Sequence, residues 1–432
     1  MHATINPTVN LLYGKGDLPV LLPAGIKTEV ILKPAMPLIA DPVGAVAMAL
    51  ETPVEAPSLS EMARSARSAC IVICDITRPV PNGVILPPLI RALIEAGLPA
   101  EHITVLIATG LHRPNLGPEL EELVGEEWVT QTVEVVNHYA QNAKDHVTVG
   151  TTRRGTTVRL DRRFVEADLK IVTGLVEPHF MAGYSGGRKV IAPGIAHEDT
   201  IRTFHNTTFM ENPLARNANL QNNPLHDEQV EIVGMLGRVL AINTVLDDKR
   251  RLSFVNFGEV LASHAEAVTH IRAYAEIPIA RRHPLVITCS AGHPLDLTYY
   301  QTGKGMVSAL GALAPGGTLL IASRCAEGLG SEEFRYAQKE LIRLGVDGFL
   351  AEARKRPLAN VDEWQTVKIT EALRQGRIHL FSEGLDESAR NLTGVTCHMD
   401  WTEALTCVVR ESQAQTAAII PEGPYVVPLA HS

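Results

Sequence analysis

From residue 69 onward the chain alternates between short, continuously apolar runs and longer stretches whose apolar positions recur every three or four residues. ACIVICDI (69–76) and HITVLIATG (102–110) have the unbroken hydrophobicity of strands covered on both faces, whereas VILPPLIRALIEAGL (84–98) and GPELEELVGEEW (117–128) carry helical spacing. Repeated strand, loop and helix units predict a mainly parallel sheet with helices packed on it. Before this region, VNLLYGKGDLPVLLP (9–23) reads as two short strands around a glycine turn. After it, HVTVGTTRRGTTVRL (146–160) alternates like a hairpin, and LKIVTGLV (169–176) is another buried strand. A helical stretch over 257–276 precedes HPLVITCS (283–290), where the alternation starts afresh with GGTLLIAS (316–323) and IHLFS (378–382).

The pattern predicts an α/β fold of two Rossmann-like domains with mainly parallel sheets and a cleft between them. Residues 1–275 make the larger N-terminal domain and residues 276–432 a smaller C-terminal one, with TEALTCVVRESQ (402–413) as a helix packing back against the junction. A length of 432 residues suits two domains. Thirty-nine basic residues against 48 acidic ones give a net charge of −9, which argues against a broad nucleic-acid or anionic-membrane surface and leaves small molecules as the expected partners. The first residues lack a secretory pattern and no apolar run approaches the ~20 residues of a membrane span, so a cytoplasmic location is expected. Six scattered cysteines, four of them within or beside apolar runs, read as buried, reduced thiols. Cys70 and Cys74 share a strand face, but no second cysteine pair accompanies them as a zinc site requires.

Ligands of open α/β sheets bind beyond the carboxyl ends of the strands. Three polar motifs sit at such ends: DITRPVPNG (75–83), ATGLHRP (108–114) and EPHFMAGYSGGRK (177–189). The last is not a nucleotide P-loop, because Val190 follows the lysine where a hydroxyl should hold magnesium. Its glycines suit a positive-φ turn, and equally a row of backbone N–H groups holding a phosphate with Ser185 adding a hydroxyl. Lys189 is either a solvated lysine or an amine made nucleophilic by Arg188 and partial burial. His112, His179 and His205 are loop histidines, suited to acid–base work near neutrality or to structural roles. Arg78 matches a carboxylate or phosphate bidentately, with Asp75 orienting it or bridging to it. Gln301 and Lys304 stand three apart near a helix start, pointing together into the cleft or forming a polar helix entry. Trp364 is a ligand wall or a packing residue.

Taken in order, DITRPVP, ATGLHRP, EPHFMAGYSGGRKVIAPG, TFHN and YYQTGKGM resemble the motif set of the nickel-dependent lactate racemase family, and the resemblance extends through Trp364. It implies a racemase or epimerase that inverts C2 of a 2-hydroxy acid, lactate-like or larger, sugar acids included. It also implies a nickel-pincer nucleotide, Ni(II)-pyridinium-3,5-bisthiocarboxylic acid mononucleotide, attached covalently at Lys189 with His205 as the nickel ligand. Asp75, Ile76, Thr77, Arg78, Ser185 and Gly186 fall on cofactor-binding positions, and His112 and His179 on the two acid–base positions. Arg78, Tyr300, Gln301, Lys304 and Trp364 fall on substrate-binding positions. In the implied cycle one histidine removes the hydroxyl proton as the C2 hydride leaves, and the resulting 2-keto acid rotates and regains hydride on its other face. A single protein ligand suffices when the organic group supplies three donors, which agrees with the lack of clustered metal-ligand spacing. Cofactor-synthesis and nickel-insertion proteins are the implied partners. Two alternatives stand beside this: a nicotinamide-dependent 2-hydroxy acid dehydrogenase, against which no G-x-G-x-x-G follows a strand, and a non-catalytic pincer-nucleotide binding protein. The leading reading requires Lys189 and His205 to face one pocket.

Overall fold

A computed structural model describes residues 8–430. Among them are two six-stranded sheets. The first runs Leu252–Glu259, Leu240–Leu246, Leu169–Leu175, Ala69–Cys74, Ile103–Ala108 and Glu134–Asn137, parallel except for its first strand. Alternate residues of one strand feed two separate cores: Cys70 and Val72 pack on one face of the sheet, Ile71 and Ile73 on the other. This two-sided burial is what makes the run apolar without interruption. Numbered along the chain, the strands lie in the doubly wound order, so the connections reverse direction between Ala69–Cys74 and Leu169–Leu175. Such a switch point leaves a crevice beyond the strand ends.

The second sheet runs Thr396–His398, Arg377–Phe381, Leu313–Ala322, His283–Cys289, Thr416–Ile420 and Lys27–Val30, parallel throughout. Both chain ends contribute to it. The expected 1–275 unit therefore omits a swap: the hairpin Val9–Tyr13 with Gly16–Val20 packs Leu11 and Val20 beside Leu285 and Ile287, and Lys27–Val30 caps the edge that Thr416–Ile420 would otherwise present unpaired. A second correction concerns the helix Trp401–Ser412. It lies on the second sheet, not at the junction, because its apolar stripe of Ala404, Leu405 and Val408 joins the core of Leu285, Ile287 and Leu320. The segment that returns to the junction is Val427–Ala430, paired in parallel with Glu276–Ile279. GPELEELVGEEW forms two short helices, Pro118–Val124 and Glu127–Thr132, divided where Gly125 takes a φ of +74°. No helix among the described residues is long and apolar enough to cross a membrane.

Candidate active site

A cavity of about 180 Å³ opens at the switch point of the first sheet, with residues of both sheets' units around it. Asp75, Thr77 and Arg78 reach it from the end of Ala69–Cys74, and His112 from the end of Ile103–Ala108. His179, Ser185, Gly186 and Lys189 come from the loop after Leu169–Leu175, and His205 from the end of the helix Glu198–Phe204. Opposite stand Tyr300, Gln301 and Lys304 of the helix Tyr299–Ala309 and Trp364 of the helix Glu363–Gln375. Of the residues that the family resemblance assigns to the site, Ile76 alone is not on the cavity wall, because its side chain packs against a hydrophobic core.

The glycine-rich loop is shaped from behind. Gly186 has a φ of +77°, and a Cβ there would stand 2.7 Å from Val176 Cγ2. The Ser185 hydroxyl donates to the Leu175 carbonyl at 2.7 Å and accepts from the Glu177 N–H at 3.1 Å, so it is engaged with the main chain. Arg188 is wholly buried and donates to the carbonyls of Ala182 (3.0 Å) and Tyr184 (3.2 Å), clamping the loop against His264, which bonds the Ser185 carbonyl at 2.8 Å. Arg188 is thus a structural clamp. Lys189 faces the cavity instead, and burial, followed by the charges of Arg78 and then Arg188, lowers its amine to about 7.

The pairing of the other charged groups differs from the simplest sequence expectation. Asp75 bonds His112, with Nδ1 to Oδ2 at 2.6 Å, and its Oδ1 accepts from the Thr77 hydroxyl at 2.6 Å and the Thr77 N–H at 3.2 Å. Arg78 pairs with Glu177 rather than with Asp75. Enclosure in the cleft lowers the His112 pKa, but the bond to Asp75 and its charge outweigh this and leave it raised. Burial likewise opposes the ionised Asp75, yet the partners His112 and Thr77 hold it below the usual carboxylate value. With Nδ1–H given to Asp75, the Nε2 of His112 remains for the cleft.

His179 is poised in the opposite sense. Its Nδ1 accepts from the Ala182 N–H at 3.2 Å, and burial, reinforced by the charges of Lys189, Arg78 and Lys304, pushes its pKa well below the ordinary histidine value. His205 donates from Nδ1 to the Ile201 carbonyl at 2.9 Å, which leaves the Nε2 lone pair free. Burial first, and then the charge of Lys189, lowers it to about 3, so the imidazole is neutral and available as a metal donor. Lys189 and His205 therefore face the same space.

Arg78, Lys189 and Lys304 bring three basic groups to the cavity, which suits an anion. Burial and then the charge of Arg78 push Lys304 well below the ordinary lysine value, with Glu177 acting the other way. Gln301 Oε1 is buried without a hydrogen-bond partner. The Trp364 indole donates to the Tyr300 hydroxyl at 3.2 Å, and Gln365 donates to the Tyr300 carbonyl at 2.6 Å, so the wall is preassembled. Sequence reasoning missed Asp362, which lines the cavity, accepts from the Ser331 hydroxyl at 2.5 Å and has a φ of +61°. Its only sequence signal was its place beside Trp364 in DEWQ.

The family model described as the lactate racemase N-terminal domain matches residues 13–218, and the lactate racemase C-terminal domain matches 280–427. A lactate racemase from Lactiplantibacillus plantarum is 31% identical over 381 residues, covering 87% of this chain and 88% of that one. A lactate racemase from Thermoanaerobacterium thermosaccharolyticum is 34% identical over 286 residues, 66% of each chain. The solved structure of a lactate racemase apoprotein from the latter organism has a TM-score of 0.88 at 27% identity, covering 98% of this chain and all 100% of that one. A Thermotoga maritima protein structure shares the fold, with a TM-score of 0.70 at 19% identity over 91% of this chain and 100% of that one.

Proposed function

Because this chain belongs to the lactate racemase family, we propose that it inverts C2 of a 2-hydroxy acid held in the cleft, passing through the 2-keto acid, with lactate as the first substrate to assay. The observation that carries this reading is the convergence on one cavity of two imidazoles from different loops, His112 and His179, with Lys189 and His205 on the same wall.

The residues present fit a nickel-pincer nucleotide. Lys189 offers an amine that is substantially neutral near pH 7, as covalent attachment requires, and His205 a free Nε2 lone pair in a buried position. In this reading Lys189 is the attachment point, His205 the nickel ligand, and Asp75, Thr77, Arg78 and Gly186 the pocket wall. Ser185 acts by fixing the loop and Ile76 through its main chain. When bound, the group supplies a reversible acceptor for the C2 hydrogen together with its electron pair.

The chain's own residues supply binding and proton transfer. Arg78 and Lys304 offset the substrate carboxylate, and the unpartnered Gln301 Oε1 accepts a hydrogen bond from bound ligand. His112 takes or returns the hydroxyl proton at Nε2, and Asp75 stabilises the imidazolium that forms. His179 performs the same task for the other enantiomer; the arriving carboxylate offsets the cations that hold its pKa down. Trp364 and Phe180 contribute apolar lining to the cavity.

Protein produced beside the cofactor-synthesis and nickel-insertion proteins, given C2-deuterated lactate in ordinary water, is expected to racemise it with the label retained. Complete washout of deuterium would point to direct C2 deprotonation and overturn the hydride route. A loaded protein that leaves both enantiomers of a 2-hydroxy acid panel unchanged, like its His112→Ala and His179→Ala variants, would instead be a binding protein.

A further inference from the structure

Remote from the cleft, at the outer edge of the second sheet, two strands and a helix bring together three groups that the chemistry above leaves unused. His379 lies on Arg377–Phe381, His398 on the edge strand Thr396–His398, and Cys407 on the helix Trp401–Ser412 that crosses them. One ligand atom from each lies within 4.8 Å of the others. We propose that His379, His398 and Cys407 form a zinc site that fastens this helix to the edge of the sheet.

His379 Nδ1 and His398 Nε2 face each other at 2.9 Å, with 16° between the ring planes and the ring centroids 5.2 Å apart, so the two rings meet edge to edge. His379 also presents its other nitrogen, Nε2, to Glu411 Oε2 at 3.0 Å. A histidine that binds metal through one nitrogen commonly donates the other N–H to a carboxylate, which fixes the tautomer and strengthens the donor. Glu411 is suited to that supporting place because Arg377 holds it at 3.0 Å. On the helix, Glu403, Cys407 and Glu411 recur at four-residue intervals and so share a face, with Cys407 between the two carboxylates. Thiolate with two imidazoles is a borderline-soft set that suits zinc, and partial exposure of Cys407 leaves the fourth position open to water.

The geometry needs a short separation and a turn of the two imidazoles. Tetrahedral bonds of about 2.05 Å to nitrogen and 2.3 Å to sulfur place the nitrogens roughly 3.3 Å apart and the sulfur roughly 3.6 Å from each. The ring nitrogens therefore part by about 0.4 Å while the rings turn so that their lone pairs meet at one point, and the sulfur, now within 4.8 Å, approaches by about 1.2 Å at most, within the reach of a cysteine rotamer. Both rings are neutral: His379 carries its proton on Nε2 toward Glu411, and His398 changes tautomer, giving up the Nε2 proton that lies between the rings and taking one at Nδ1 through solvent, with no net change. The Cys407 thiol proton passes to solvent, so zinc uptake releases one proton.

The test uses full-length, cofactor-free chain with zinc alone in competition against a chromophoric chelator, and cobalt(II) as a spectroscopic stand-in. One equivalent of zinc is expected, with a rise in Tm, and cobalt is expected to give tetrahedral visible bands together with a thiolate charge-transfer band. Cys407→Ser and His398→Ala should lose the bands and weaken zinc binding by about 100-fold or more, and Glu411→Gln by about 10–100-fold. His205→Ala should keep both signals, which separates this site from the cleft. No zinc uptake by the native chain, or uptake and a charge-transfer band that persist in Cys407→Ser, would overturn the proposal.

Discussion

Replacing Asp75 with asparagine isolates what the Asp75–His112 pair contributes. Thr77 donates both its hydroxyl and its N–H to Oδ1, so the asparagine keeps its carbonyl there and turns its amide toward His112 Nδ1. The ring must then accept at Nδ1 and carry its proton on Nε2, which removes the base from the cleft. A charge-assisted hydrogen bond contributes roughly 1.5–3 kcal/mol. The His112 side chain is 52% exposed, so solvent screening reduces this to about 1–1.5 kcal/mol, or about one pK unit. The His112 titration, read by NMR of the cofactor-free chain, should fall by about one unit. Turnover of loaded enzyme, followed by chiral separation from pH 5 to 9, should fall by about 10²–10⁴. Stability gives an independent check with a defined sign. Asp75 is lowered and His112 raised, so the pair stabilises fully between about pH 4 and 6.5. This contribution is lost as pH falls through the folded Asp75 value or rises through the folded His112 value, and the variant should differ most inside that window. A variant with unshifted His112 titration and native turnover would refute the assignment of Asp75 as the group that orients His112.

Lys189, lowered to about 7, should react with a limiting amine-selective reagent half-maximally near pH 7, and Lys189→Arg should abolish both this labelling and any cofactor mass addition; labelling only above about pH 10 would refute the neutral amine. Lys304→Met should raise KM for carboxylate substrates by about 10–100-fold, corresponding to one charge-assisted bond, with a smaller effect on kcat. Gly186→Ala combines a φ of +77° with a Cβ 2.7 Å from Val176, and should destabilise by about 1–3 kcal/mol in denaturant melts; an unchanged midpoint would show that the loop is not tightly constrained.

What the sequence discloses about this molecule follows from which forces act locally. The strand Ala69–Cys74 is readable because two cores claim its alternate residues, and that demand leaves no polar position in ACIVI. The cleft motifs are readable because a switch point collects the loops of several strands, so polar residues at those ends converge whatever their exact conformations. Partnership is a different matter. Asp75 and Arg78 are three residues apart and opposite in charge, yet Asp75 bonds His112 and Arg78 bonds Glu177, 99 residues away. Only the spacing of three separate strand ends decides that exchange. The edge strand Lys27–Val30 is four residues without a strong apolar pattern, and its conformation comes from the open edge of Thr416–Ile420 that it covers. Arg188 and Lys189 are neighbours in the chain, but the short helix they enter turns one into the protein behind the loop and the other into the cavity. The resulting environments account for their roles: a guanidinium bound by carbonyls clamps the turn, while an amine beside Arg78 has no carboxylate bonded to it and loses its proton near neutrality. The chemistry proposed for the cleft depends on that division, which the residue types permit and the tertiary fold imposes.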